Sequence, residues 1–332
     1  MAKLIHASRE LLTITRQRRG RGFCYLDAEG RVLAGEEKAR CAALGIPPAW
    51  TSVRIASHPR AHIQAMGQDS EGRTQYIYHP AWEEQRLARK QRRLGLLATA
   101  LPALRRRVSR DLSAPAGSQT LAVAIAVALI DRTAMRIGRE KYLRSSGTRG
   151  AGTLYAGDVR VRGGKIALRF PAKSGKEARY EIADRRLAAA VARIKTLTGR
   201  RLLVFRDEAG QLRPVTGEMI NSYIAEAAKA HVTAKDFRTL HASALAAEAL
   251  AELEPAPSPT GRKRQMAGVT RQVADFLRNT PAVSRKSYVV PCLFKLFDDG
   301  TLNLLWKASR GGGPSGAGRR EQRLGEVLAA IT

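Results

Sequence analysis

Cysteine is scarce in this chain of 332 residues: Cys24, Cys41 and Cys292 are the only three, and none sits in a C-x-x-C pair. That spacing argues against a disulfide scaffold and a thiolate zinc site. The six histidines do not cluster with carboxylates either, so no metal is expected. Long apolar runs are missing too. The longest, residues 120–130, stops at Asp131, well short of the roughly 20 residues a membrane-crossing helix needs. Residues 1–21 are basic, yet no apolar stretch or cleavage site follows. No secretory signal is expected, and the chain reads as cytoplasmic. No G-x-x-x-x-G-K loop occurs, and the glycine-rich stretch 147–152 (GTRGAG) has the wrong form for one; it reads as a mobile loop, and no cofactor is expected. Acidic residues are also in short supply: 29 Asp and Glu face 58 Lys and Arg, a formal net charge of +29. Such an excess binds polyanions, nucleic acid being the commonest. Charge alone does not separate an enzyme from a basic binding protein.

What is present divides the chain. Residues 1–80 read as a small β-rich domain. Residues 22–26 (GFCYL) and 73–78 have strand character, and Asp27, Gly30 and Gly72 supply turns. Pro80 opens a charged stretch; residues 81–95, with Arg86, Arg89, Lys90, Arg92 and Arg93, read as a hinge or linker helix. Residues 96–308 read as a larger, mainly helical domain with a short β-sheet, which makes the fold class α+β. In that part an apolar helix is expected over 118–143. A hairpin is expected from 165–170 and 178–182. Helices are expected over 184–197, with Leu187, Val191 and Ile194 on one face, over 216–230 and over 235–253. Residues 255–264 (PAPSPTGRKR) read as an exposed basic loop. Thr280 and Pro281 have the chemistry of an N-cap and first helical residue. Residues 309–332 read as a Gly-rich basic segment and a C-terminal tail.

Five positions invite a chemical reading, each beside a plainer one. On the expected 118–143 helix, Arg136 shares an apolar face with Ile125 and Leu129. An arginine there costs several kcal/mol unless an anion meets it, although a core-rim arginine can also snorkel or pair with a carboxylate. Lys235 and Arg238 lie three apart on an expected helix, where they repel unless a phosphate bridges them; alone they are a solvated basic face. Lys173 sits at the hairpin tip, where a lysine is usually a surface charge but can also donate a proton. Tyr288 follows Arg285 and Lys286. A single tyrosine is ordinarily packing, but a phenol near fixed cations has a lowered pKa and becomes a better nucleophile.

Taken in order with their neighbours, these positions carry a family resemblance. Arg136-Ile137-Gly138 with Lys141-Tyr142-Leu143, Lys173-Ser174-Gly175, Lys235-Asp236-Phe237-Arg238-Thr239, Asn279-Thr280-Pro281 and Arg285-Lys286-Ser287-Tyr288 resemble the type IB DNA topoisomerases, in particular the small bacterial enzymes related to the poxvirus one. The first domain carries it as well, through 22–25 (GFCY), 46–50 (IPPAW) and 72–78 (GRTQYIY). The resemblance spans about residues 21–291. It implies a tyrosine recombinase-like catalytic fold and a two-domain clamp on double-stranded DNA. It implies strand cleavage through a 3′-phosphotyrosine, rotation and religation, without ATP or metal. Tyr288 would be the nucleophile, Arg136 and Arg238 the grips on the scissile phosphate, Lys173 the general acid, and Asn279 a further donor where the family carries His or Asn. Gln75, Tyr76, Tyr78, Lys141, Tyr142 and Lys235 would contact DNA. A monomer associated with the nucleoid is expected.

The chain departs from that pattern at 149–152 (RGAG), where a more apolar stretch is usual, at the proline-rich basic run 258–266, and at Leu240-His241, where a tryptophan is common. Two rivals remain. A tyrosine recombinase shares the chemistry but usually carries His where Lys235 stands, and a helical domain in place of the N-terminal one. A non-enzymatic DNA-binding protein would have no use for Tyr288.

Overall fold

Short strands joined by tight turns open the chain. The computed structural model describes residues 4–197, 199–310 and 319–331. It divides into two units, residues 1–89 and 90–332. In the first unit β1 (Ile14–Arg19), β2 (Gly22–Leu26), β3 (Thr51–Ile55), β4 (Ile63–Gln68) and β5 (Thr74–Tyr78) form one antiparallel sheet in the order β2-β1-β3-β4-β5, with helix α1 (Gly35–Ala43) between β2 and β3 in the chain. Both turns at the hairpins have a local cause. Gly20 takes φ +56° between β1 and β2, a conformation that costs glycine little. Between β4 and β5 the Asp69 carboxylate accepts from the Glu71 and Arg73 amides, both at 3.0 Å, which folds an Asx turn. Ile14, Tyr25, Cys41, Val53, Ile55 and Ala65 fill the core of this unit.

Helix α2 (Pro80–Asp111) begins in the first unit and runs on into the second. Its buried residues Leu94, Leu97, Leu101, Leu104 and Val108 recur every three or four positions, the spacing of one helical stripe. Next comes α3 (Gln119–Thr133), apolar nearly all round and buried nearly throughout. Ser118 caps it by accepting from the Leu121 amide at 3.2 Å. It ends where Ala134 turns left-handed, φ +51°. The expected helix over 118–143 is therefore two pieces. Ala134 closes α3, residues 134–139 are irregular, and α4 (Glu140–Ser146) starts afresh. Arg136 lies in the irregular link and shares no helical face with Ile125 and Leu129. Continuous apolar periodicity masked the break.

The expected hairpin is present as β7 (Lys165–Pro171) and β8 (Glu177–Ala183), with β6 (Val159–Arg162) beside β7. Ile166, Leu168 and Phe170 are buried on one face of β7 and their neighbours are exposed, the period-two pattern of a one-sided sheet. Helix α5 (Arg185–Ile194) is capped by Asp184 and buries Leu187, Val191 and Ile194, as read from the sequence. A small hairpin, β9 (Val204–Arg206) and β10 (Leu212–Pro214), leads to α6 (Gly217–Ala228) and α7 (Ala234–Ala251).

Residues 255–264 are not a continuous loop. Ser258 accepts from the Gly261 amide at 3.0 Å, Pro259 takes the first helical turn, and α8 (Pro259–Leu277) follows. This is the same Ser/Thr-Pro start that was read correctly at Thr280-Pro281, where α9 (Pro281–Ser287) begins; at Ser258 the surrounding prolines and basic residues hid it. The chain closes with α10 (Cys292–Asp298), α11 (Thr301–Ala308) and α12 (Arg319–Ala329). The Gly-rich stretch 311–318 lies outside the described residues, whereas α12 is a packed helix that buries Leu324, Val327 and Leu328. No helix among the described residues is long and apolar enough to cross a membrane.

Candidate active site

The second unit brings Arg136, Arg238, Asn279 and Tyr288 together, three of them from short links and Arg238 from the first turns of a helix. Arg136 reaches the site from the irregular stretch after α3. Its backbone is fixed by the glycine-rich strip expected to be a mobile loop. Ala151 and Gly152 donate their amides to the Arg136 and Ile137 carbonyls at 2.9 and 2.7 Å. A Cβ on Gly150 would collide with the Arg136 carbonyl and the Gly138 backbone. Residues 150–153 are buried, so this strip is packing, not a mobile loop. Its glycines allow two backbones to touch.

Arg238 enters from the first turns of α7, whose N-cap Thr233 forms a capping box with Asp236. The guanidinium is 4% exposed. One terminal nitrogen donates to the Ala134 carbonyl, the other to the Leu277 carbonyl at 3.2 Å, and Nε has no partner. Lys235, one turn earlier, stays exposed. The pair is thus split between surface and interior instead of forming a solvated basic face. Asp236 is not solvated either: it accepts from the Thr233 amide at 2.8 Å and pairs with Arg93 of α2.

Asn279 occupies the link between α8 and α9. Its Oδ1 accepts from Arg136 Nη2 at 2.8 Å. Arginine can only donate, so this bond fixes the amide orientation and leaves Nδ2, buried and without a partner. Tyr288 follows α9. Its amide donates to the Ser284 carbonyl at 3.0 Å and its carbonyl accepts from Ser243 Oγ of α7 at 3.1 Å. The Ser287 carbonyl accepts from Lys90 Nζ at 2.9 Å. The phenol ring lies 4.9 Å from Arg238 Cζ, ring centroid to carbon. Burial pushes the Tyr288 pKa up, but Arg238, Arg136 and Lys235 outweigh it and hold the phenol below its ordinary value. Arg238 is itself held below its ordinary value, chiefly by burial and then by repulsion from Arg136.

Lys173 begins a 3-10 turn between β7 and β8 and is exposed. It lines one depression with Arg136, Arg149, Tyr180, Arg238 and Arg278. Arg149 is neutralised there by Asp158, 2.7 Å away. Among the described residues no carboxylate stands within ion-pair distance of Arg136, Lys173 or Arg238. Arg136, Lys173 and Arg238 thus share one depression, with Asn279 bound to Arg136 and the Tyr288 phenol against Arg238, an arrangement able to receive a tetrahedral oxyanion beside a phenol.

Lys141 and Tyr142 are exposed on α4, Tyr142 by 52%. In the first unit Tyr76 and Tyr78 share one face of the edge strand β5, with ring centroids 6.0 Å apart. Gln75 does not join them, because its amide is bound to Asp69 Oδ2 at 2.8 Å on the other side of the strand. Sequence reading missed Ser243, Gly150 and Arg93. Their contacts are to backbone or come from far along the chain, and no local motif announces them.

Comparison with known proteins agrees with this geometry. Residues 80–290 match the family described as eukaryotic DNA topoisomerase I, catalytic core, and residues 22–69 match the bacterial DNA topoisomerase IB, N-terminal domain. A DNA topoisomerase 1B of Acanthamoeba polyphaga mimivirus is 31% identical over 284 residues, covering 83% of this chain and 84% of the viral protein. The protein is an enzyme that acts on DNA topology, and the chain belongs to the type IB DNA topoisomerases.

Proposed function

We propose that Tyr288 is the nucleophile with which this topoisomerase opens one strand of duplex DNA. The reading rests above all on one observation: the phenol lies against Arg238 while Arg136, Arg238 and Lys173 have no protein carboxylate to neutralise them. A scissile phosphate supplies the missing anion. Arg136 and Arg238 hold its non-bridging oxygens, and the free Nδ2 of Asn279 adds a donor. The site grips more strongly as charge builds on the pentacoordinate phosphorus. Tyr288 Oη forms a bond to phosphorus and gives its proton to solvent, a loss eased by the lowered pKa. The P–O5′ bond breaks, and Lys173 passes a proton from Nζ to the departing 5′ oxygen. One phosphodiester replaces another, so the reaction needs no nucleotide hydrolysis.

The released 5′ end lets the duplex rotate and shed torsion. The 5′ hydroxyl then attacks the phosphotyrosine and returns its proton to Lys173; the P–Oη bond breaks, Tyr288 leaves as the phenolate and takes a proton from solvent, and the strand is resealed. Lys141, Tyr142 and Lys235 near the site, and Tyr76 and Tyr78 on the first unit, are proposed contacts to duplex DNA; Gln75 reaches it only if its bond to Asp69 opens. The protein is proposed to act as a monomer. The test is relaxation of supercoiled plasmid in EDTA without ATP. The wild type relaxes both signs of supercoil and traps covalently on DNA through Tyr288. Tyr288→Phe loses both activities and keeps its DNA affinity. Relaxation by the Phe variant would refute the assignment.

A further inference from the structure

Arg278 stands between two residues already placed in the site. On one side is Leu277, whose carbonyl accepts from Arg238; on the other is Asn279, which accepts from Arg136. It closes α8 in the left-handed conformation, φ +54°, at a position where helices ordinarily use glycine because a Cβ is strained there. Four described non-glycine residues take positive φ, and two of them, Ala134 and Arg278, flank this site.

The Arg278 side chain turns toward the β7–β8 hairpin. Its guanidinium stacks 4.7 Å from the Tyr180 ring centroid and donates to the Arg179 carbonyl. Tyr180 in turn stacks on Phe170 at 6.1 Å. Phe170 is on β7 and Tyr180 on β8, the two strands whose connection carries Lys173. Arg278 therefore ties the middle of that hairpin to the corner that presents Asn279. Both Arg278 and Tyr180 line the depression shared by Arg136, Lys173 and Arg238.

We infer that Arg278 is a positioning residue for the general acid: it anchors the β7–β8 hairpin so that Lys173 is presented to the leaving 5′ oxygen. The inference rests on the role proposed for Lys173. A guanidinium suits the task because its flat face stacks on Tyr180 while its edge donates to the carbonyl. The exposed lysine then depends in part on a contact made outside its own turn.

The leaving group provides the test. Single-turnover cleavage is measured on a duplex carrying a cleavage site mapped on plasmid DNA, once with the natural 5′ oxygen and once with sulfur in the bridging 5′ position. With sulfur, the Tyr288 Oη–P bond forms, the P–S bond breaks, and the thiolate leaves as an anion that needs no proton. Arg278→Gly is the main variant, because glycine is at ease at positive φ and the corner keeps its backbone. It is expected to slow cleavage of the oxygen substrate by about 10-fold or more, part of the 10²- to 10⁴-fold that general acid catalysis supplies. The same variant cleaves the sulfur substrate at the wild-type rate. Tyr180→Ala, which removes the stack and leaves the corner untouched, follows the same pattern. Wild-type rates for Arg278→Gly on both substrates overturn the inference. So does equal slowing on both, which marks a phosphate grip or general damage. Lys173→Ala is run alongside. If sulfur fails to restore its rate, the reading of Lys173 itself is what fails.

Discussion

The end of α3 and the first half of α7 each contribute to two charge clusters with opposite fates. Asp131 and His241 belong to one, Arg136 and Arg238 to the other. In the first cluster every charge is answered within the protein. Arg105 grips Asp131 with two bonds of 2.7 and 2.9 Å, and His241 lies 3.2 Å from Asp131 and 2.8 Å from Glu321 of α12. In the second, the guanidiniums find only carbonyls and an amide oxygen. A few residues thus separate a closed electrostatic knot from an open one. The closed knot joins elements distant in sequence, α12 included. The open one has no carboxylate partner among the described residues. Composition alone shows neither, since both lie within a chain whose bases outnumber its acids.

The comparison breaks first at Arg238. Arg238→Ala should lower the single-turnover cleavage rate by about 10²- to 10³-fold, the usual loss on deleting one transition-state donor. It also strips the Ala134 and Leu277 carbonyls of their donor, so a smaller loss of stability accompanies it. A cleavage rate within a few-fold of wild type would show that this guanidinium is structural like those of the other cluster.

His241→Ala should produce the opposite profile. It removes one partner from a buried charged set, a change that costs about 3–5 kcal/mol, read as a lower denaturant midpoint. Cleavage per folded molecule changes little. A severe catalytic defect in fully folded protein would show that the closed cluster also serves the site.

The pH dependence of stability sharpens the same contrast. Burial pushes the His241 pKa down, but Asp131 and Glu321 reverse this and hold it above its ordinary value. Its contribution is full below about pH 6.5 and is lost as pH rises through the raised folded value. Asp131 and Glu321 shift the other way: burial would raise them, yet their cationic partners hold them low, Glu321 at about 2. Their contribution is present above about pH 4 and lost as pH falls through the folded values. Unfolding free energy of the wild type should therefore decline on both sides of mildly acidic pH. His241→Gln should flatten the alkaline limb, and an unchanged limb would remove His241 from the cause.

The smallest effect is expected in the first unit. Tyr76, 44% exposed on β5, should on replacement by Ala weaken duplex binding by no more than about 10-fold, within the range of a base- or sugar-stacking contact. Cleavage at saturating DNA should stay unchanged. Unaltered binding would return Tyr76 to an ordinary surface tyrosine.

Much of the site was legible because its residues sit in short local motifs. Arg238 after Lys235 and the Thr280-Pro281 cap beside Asn279 are read within a few positions, but the cations that act on Tyr288 are Arg238, Arg136 and Lys235 and not the neighbouring Arg285, which lies over Phe294. Arg136 was picked from a helix that does not exist at that point. The geometric reason was wrong, because Ala134 turns left-handed inside an unbroken apolar pattern. The glycines at 150 and 152 were misread for a related reason. Glycine is called for equally by mobility and by close backbone packing, and only the neighbour that fills the space distinguishes them.

The amino-acid order alone settled the α+β class, the hairpin and most helices, and it named the candidate side chains, since strand alternation, capping and charge excess are local properties of the chain. Tertiary structure decided which charges are answered. Asp131 is balanced by Arg105 of α2, the adjacent Arg132 and His241 of α7, whereas Arg238 meets no carboxylate among the described residues. Neutralisation depends on distance through space, and at fixed local sequence that distance is set by the packing of remote segments.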